Sequence, residues 1–385
     1  MRLLYLWAAC LAVLGCTTGQ TETPQAATPQ LPGEADPRLG FVRLPPGFKI
    51  AYYAEGVDNA RSLCWGAKGT LFVSTRSAGN VYALRDEDGD GKAEKRYTIA
   101  TGLHMPNGIA FKDGSLYVAE VSTLWRYDNI EANLAQPPKP VSIYTNYPTD
   151  DHHGWKYIAF GPDGKLYIPV GAPCNICNHP EQPLYASITR MNPDGSGREV
   201  FASGVRNTVG FTWHPTTQEL WFTDNGRDML GDDTPPCELN HAPRAGMHFG
   251  YPFCHGGTVP DPEYGTLGPC ANYTAPAQNL GPHVAPLGLK FYTGTQFPEE
   301  YRNHLLIAEH GSWNRSQKIG YRVMKVTLVG DKAIGYTPFA EGWLDRSGGS
   351  EVVRGRPVDV LLHPDGSVLV SDDHADCVYR IWYAG

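Results

Sequence analysis

Apolar positions in this chain come in short bursts separated by polar turns, without the 3.6-residue period of an amphipathic helix. One phrase recurs: an apolar strand, a tight turn, and a second strand reading Leu-aromatic-Val or close to it. The second strands begin at Thr70 (TLFVS), Ser115 (SLYVA), Lys165 (KLYIP), Glu219 (ELWFT), His304 (HLLIA) and Ser367 (SVLVS), which makes six copies about 45 to 85 residues apart. They follow SLCWGA (62–67), NGIAFK (107–112), WKYIAFG (155–161), NTVGFTW (207–213), PLGLKFY (286–292) and PVDVLLH (357–363), often across turns such as KDGS, PDGK and PDGS. This pattern predicts an all-β protein, a six-bladed β-propeller over 41–385, with GFKIAYYAE (47–55) closing the ring on the last blade. A β-sandwich is the alternative, but it does not require such internal similarity.

In a propeller, the chain enters each inner strand from one face, so the residues just ahead of those strands converge on the channel mouth. They are Arg61, His104 to Asn107, His152 and His153, Arg206 with Asn207, His283, and Arg354 with Arg356. The loops between second and third strands, GAPCNICNHPEQP, DNGRDMLGDDTPPCELN, EHGSWNRSQK and SDDHAD, emerge on the same rim. His, Arg, Asp and Asn gathered on one rim predict a polar small-molecule site.

Composition narrows the classes. A hydrophobic content of 41% supports a large core, and a net charge of −8 with no basic block excludes a nucleic-acid binder. The start, MRLLYLWAACLAVLGC, has one early arginine and an apolar run too short to span a bilayer. It reads as a lipoprotein-type signal peptide (1–16) with Cys16 as the lipidated residue, a simple secretory signal being the alternative. Residues 17–40, rich in Thr, Pro, Gln and Ala, read as a flexible tether. The expected location is exported, periplasmic or anchored at the outer membrane, touching the membrane only through that lipid. Seven cysteines lie beyond Cys16; the pairs 174/177 and 254/270 are the expected disulfides, and an odd thiol is left over.

His153 is the candidate base, because an imidazole titrating near neutrality accepts a proton from an alcohol, and Asp150 or Asp151 is placed to orient it. Arg206, Arg354 and Arg356, with Arg315 from its loop, suit an anionic cofactor bound through bidentate contacts. Asp224, Asp228, Asp232 and Asp233 surround a glycine in a pattern of oxygen ligands, as do Asp86, Asp88 and Asp90, the front half of a Ca²⁺ loop with Tyr97 where its last glutamate belongs. A structural Ca²⁺ and a plain hairpin turn are both open for that second loop. CNICNH has one residue too many for a c-type haem motif.

GVRNTVGFTWHP, LWFTDNGRDMLGDD, HFGYPFCHGG, LIAEHGSWNRSQKIGYRV and GRPVDVLLHPDGSVLVSDD together resemble the pyrroloquinoline-quinone (PQQ) dependent glucose/sorbosone dehydrogenases, in their L-sorbosone dehydrogenase-like branch. The resemblance covers about 40–385. It implies PQQ over the channel mouth with a bound Ca²⁺, His153 as general base, and Arg206 and Asn207 on the quinone side. It further implies Arg354 and Arg356 at the carboxylates and the backbone carbonyls of Gly226 and Arg227 on the Ca²⁺. A lysine and a glutamine of the glucose dehydrogenases have no clear counterpart; Arg315 is the candidate for the first, His104 or Asn107 for the second. The implied reaction is oxidation of an alcohol or hydrated aldehyde of an aldose or L-sorbosone, by His-assisted hydride transfer to PQQ polarised by Ca²⁺, with a cytochrome or quinone as electron acceptor. A Ca²⁺-dependent lactonase-type hydrolase and a non-catalytic carbohydrate-binding propeller are the competing classes.

Overall fold

The structure, a computed structural model, describes residues 33–385. The signal segment, Cys16 and most of the tether lie outside the described residues. Six four-stranded antiparallel sheets account for nearly all of the strand content, and among the described residues there is no α-helix. From the channel outward, blade 1 is Ala60–Trp65, Leu71–Thr75, Val81–Arg85 and Lys95–Ala100, and blade 2 is Gly108–Lys112, Ser115–Ala119, Leu124–Tyr127 and Val141–Tyr144. Blade 3 is Ala159–Phe160, Leu166–Val170, Ser187–Met191 and Glu199–Ser203, with Met247–His248 added in parallel. Blade 4 is Phe211–Trp213, Leu220–Asp224, Pro236–Ala242 and Gln278–Pro282; blade 5 is Pro286–Phe291, Leu305–Glu309, Arg322–Val329 and Lys332–Glu341. Blade 6 joins Pro357–Leu362, Val368–Asp372 and Cys377–Tyr383 to the N-terminal Phe48–Glu55, as the sequence predicts.

The Leu-aromatic-Val phrase has a packing cause. Each second strand is covered by a neighbouring blade on both faces, so Leu71–Thr75, Leu166–Val170, Leu220–Asp224, Leu305–Glu309 and Val368–Asp372 are buried throughout. A separate apolar cluster fills each of the six blade interfaces. Hydroxyls one residue before the end of some of these strands reach across to the next inner strand. Ser74 donates to the Asn107 carbonyl, Thr223 to Leu287 and Ser371 to Arg61, at 2.5, 2.7 and 2.5 Å.

The folded body begins slightly earlier than position 41. Asp36 donates its amide to the Ile50 carbonyl, and Leu39 is buried in the core between blades 5 and 6. Both expected disulfides form, Cys174–Cys177 and Cys254–Cys270, but among the described residues three thiols rather than one remain unpaired: Cys64, Cys237 and Cys377.

Closure is reinforced by Phe48, whose ring meets Phe297, Tyr301, Phe339 and Tyr383 edge-on at centroid distances of 4.7 to 5.2 Å. Phe48→Ala removes these contacts at the seam between the first and last strands of the fold. Loss of about 3 kcal/mol of stability is expected in denaturant titration, and a change below about 0.5 kcal/mol would show that the seam does not depend on this ring.

Candidate active site

A repeated bend brings the site together. Asn59, Met105, His153, Gly204 and Ala285 all have left-handed backbones, with φ between 50° and 69°. In blades 1, 2 and 5 the bend precedes by two residues the same inner-strand position, Arg61, Asn107 and Leu287; in blades 3 and 4 it falls outside that register, two residues ahead of Trp155 and Arg206. In blades 4 and 6 an aspartate at the end of the second strand fixes the segment that enters the inner strand. Asp224 accepts the amides of Arg206 and Asn207 at 2.7 and 2.6 Å, and Asp372 accepts that of Arg356 at 2.9 Å. One residue further on, the second strands deliver Arg76, Val121, Gly171, Asn225, His310 and Asp373 in the same repeat register. Arg61, Trp155, Arg206 and Leu287 of the first group and Arg76, Asn225 and His310 of the second line a cavity of about 270 Å³ at the channel mouth, close to the ~300 Å³ lower bound of small-molecule pockets.

One wall comes from blades 3 and 4. His153 is buried, and its Nδ1 lies 2.9 Å from the Ala172 carbonyl, a partner that can only accept. The proton is therefore assigned to Nδ1, leaving the Nε2 lone pair free. Burial, with Arg206 and His152 nearby, holds its pKa well below the ordinary histidine value, so it is neutral at pH 7. Gly171 makes room for it, since a Cβ there would come within 2.5 Å of the His153 Cβ. Asn175, inside the Cys174–Cys177 loop, accepts Nε of Arg206 on its carbonyl (2.8 Å) and NH2 on Oδ1 (2.9 Å). It also accepts the Asp228 amide (2.8 Å) and donates to the Asp228 carbonyl (3.0 Å). Arg206 completes its bonds with the Asn225 carbonyl and Asp228.

The opposite wall comes from blades 5, 6 and 1. Asp373 bridges Arg61 (2.9 Å) and His310 Nε2 (2.7 Å), and Arg61 also donates to Asn107 (2.7 Å). Burial keeps His310 neutral, with its pKa down to about 4 despite Asp373. Burial alone would raise the Asp373 pKa, but His310 and Arg61 together pull it far below the usual carboxylate range. Arg356 donates to the carbonyls of His310 and Gly311 at 3.1 and 3.0 Å. Arg76, Trp155, Cys237, His283 and Trp313 also line the cavity.

Several expected positions lie elsewhere. Asp151 does not orient His153: it pairs with the exposed His104 at 2.8 Å, and Asp150 accepts the Tyr185 hydroxyl, because the Ala172 carbonyl already occupies Nδ1. His104 is thereby outside the cavity. His152 lies against His153 with its ring tilted and the centroids 4.0 Å apart, and it does not line the cavity either. Arg354 is drawn into a rim hairpin by Asp345 at 2.6 Å, so only Arg356 of that pair faces the channel. Arg315 staples two rim loops through Asp232 and Asp233. Gly226 and Asn207 line the cavity, whereas the Arg227 side chain is buried away from it against Asp261, with Glu263 beside them. Asp86, Asp88 and Asp90 do come within 4.8 Å of one another, joined by Glu94. They sit between the outer strands of blade 1, on the face away from the cavity, and both Asp86 oxygens are taken by the loop's own amides.

Arg76, Asn175, His310 and Asp373 escaped the reading of inner-strand entrances because they sit on the loops after second strands. The repeat register marks three of them, and Asn175 has no such signal.

Fold and site define a propeller with a cationic, histidine-bearing pocket at one end of its channel. The chain belongs to the TrAA12-like family, whose model matches residues 42–383. An uncharacterized protein of Borreliella burgdorferi is 32% identical over 356 residues, covering 89% of this chain and 91% of that one. A pyrroloquinoline quinone-dependent pyranose dehydrogenase of Coprinopsis cinerea is 24% identical over 422 residues, or 91% of this chain, which spans only 56% of that relative's length. The solved holo form of the PQQ domain of pyranose dehydrogenase from Coprinopsis cinerea has a TM-score of 0.75 at 20% identity, covering 92% of this chain and 99% of that one. At that identity the likeness is one of fold.

Asn175→Ala removes the acceptor of the Asp228 amide. Hydrogen exchange at Asp228 is expected to quicken about tenfold or more, and reduction of Cys174–Cys177 to have a similar effect. Unchanged protection in both cases would show that the loop does not hold this wall.

Proposed function

We propose that this chain is a PQQ-dependent sugar dehydrogenase. The observation that carries the reading is the charge of the cavity lining, four guanidiniums to one carboxylate, Asp228, around a neutral histidine with a free nitrogen. Such a donor set fits a planar polyanion such as PQQ, which carries three carboxylates. Arg206 and Asn207 would hold it from blade 4, Arg356 from blade 6. PQQ supplies the two-electron acceptor that no side chain can provide. The protein fits a Ca²⁺ less well by itself, because hard cations take six or more oxygens and the lining offers one carboxylate among the arginines. Calcium binding here would depend on oxygens of the bound cofactor, with the Gly226 carbonyl beside it.

The chain's own chemistry is proton removal. A sugar hydroxyl placed against His153 Nε2 would lose its proton as its carbon gives up hydride, and the Ala172 carbonyl would stabilise the imidazolium through Nδ1–H. His310 supports a second reading of the base, because a carboxylate-backed histidine is the more familiar proton acceptor. A lactonase-type site would need several carboxylates facing the channel, which this lining does not provide. Two disulfides accord with export, and we place the protein outside the cytoplasm, tethered through Cys16, passing electrons to a cytochrome or quinone.

The test is dye reduction by apoprotein given PQQ and Ca²⁺, with aldoses and L-sorbosone as substrates; absence of PQQ-dependent turnover would sink the reading. His153→Ala is expected to lower kcat by about 10² to 10⁴, and His310→Ala by much less; the reverse order would transfer the role of base to His310. The lowered pKa also sets a sign. The basic form of His153 persists above its depressed pKa, so kcat/KM should fall only on the acid side, with a midpoint below the 6.5 of an ordinary histidine.

A further inference from the structure

Four guanidiniums reach the cavity, and three of them are held. Arg206 has Asn175, Asn225 and Asp228; Arg61 has Asn107 and Asp373; Arg356 has two backbone carbonyls. The Arg76 guanidinium has neither a hydrogen bond nor an ion pair among the described residues. Only its backbone amide is fixed, by Asn59 at 2.9 Å, while the guanidinium lies over the Trp155 ring, 4.8 Å from its centroid. Blade 2 contributes Asn107 and Val121 at the two equivalent positions, neither of them charged, so Arg76 reaches past it to an indole on blade 3.

On this side of the mouth, Arg61, Arg76 and Arg356 lie near Asp373, whose two oxygens are already taken by Arg61 and the neutral His310. Burial and the neighbouring Arg61 press the Arg76 pKa down to about 10, which leaves the group charged at neutral pH. A partly buried, unpaired charge costs folding free energy, and removing it should relieve the fold. A stacked guanidinium still presents its N–H edge, which matches the two oxygens of a carboxylate.

We propose that Arg76 anchors a carboxylate of the molecule bound at the channel mouth. Two molecules could bring that group: the cofactor, in which case the inference rests on the PQQ reading above, or an acidic sugar such as a uronate.

The experiment compares ligand-free wild-type protein with Arg76→Met and Arg76→Lys. It measures the Tm of each, the affinity for PQQ by absorbance titration, and the affinities for D-glucuronate and D-glucose by calorimetry without PQQ. Arg76→Met is expected to melt at or above the wild-type temperature and to lose about tenfold or more in affinity for one carboxylate, with Arg76→Lys intermediate. Loss toward PQQ assigns the anchor to the cofactor; loss toward glucuronate but not glucose assigns it to an acidic sugar. Unchanged affinity for both carboxylates overturns the proposal whatever the Tm, and should Arg76→Met fail to fold, Arg76→Lys is held to the same criterion. If wild-type protein takes up no PQQ, the dehydrogenase reading falls and glucuronate alone decides: binding that Arg76→Met loses upholds the anchor, and no binding to wild type overturns it.

Discussion

The antiparallel pairing of Phe48–Glu55 with Cys377–Tyr383 is the contact on which the rest of the molecule depends, because it turns an open row of blades into a ring. Around that seam the two ends of the chain are sewn together by polar bonds that lead to the cavity. The Asn59 amide is taken by Asp376 at 2.7 Å, the Ser371 hydroxyl reaches the Arg61 carbonyl, and Arg61 pairs with Asp373. Arg61, Arg76 and Arg356 can share one wall only when the ring is shut. The electrostatics of the site are therefore a consequence of closure as well as of local sequence.

Within the ring, repetition supplies geometry and variation supplies chemistry. The same bend, the same hydroxyl bridge and the same carboxylate clamp recur from blade to blade, and they present whichever side chain occupies the equivalent position. In blade 1 that is Arg61, in blade 2 Asn107 and in blade 5 Leu287. Two of the cavity histidines are kept neutral by burial while guanidiniums stay charged beside them. This combination lets one pocket hold an anion and still contain a proton acceptor. Arg76, charged and without a polar side-chain partner among the described residues, is a local departure from what folding alone favours, as expected where a site is built for a ligand.

The architecture was legible because second strands buried on both faces leave a strong apolar signature, and the rim position of His153, Arg206 and Arg356 followed from counting strands. What escaped depends on loop conformation. Nothing in the sequence tells Arg354 from Arg356, yet Asp345 captures one and leaves the other facing the channel. Asp151 sits next to His152 in the chain but spends its carboxylate on His104, while a backbone carbonyl 19 residues beyond His153 orients the imidazole. Asn175 acquires its role only through a loop folded back across the rim. The second group, which includes Arg76, His310 and Asp373, was present in the repeat register and needed the alignment carried one residue past each second strand.

The central claim is that PQQ occupies the channel mouth between the Arg206 wall and the Arg61–Arg356 wall. A crystal structure of the protein soaked with PQQ tests it most directly. The account predicts the quinone between those two walls, with Arg206 and Arg356 on its polar edge and His153 Nε2 facing its reactive face. PQQ bound elsewhere on the molecule, or a channel mouth that stays empty at saturating PQQ, would contradict it.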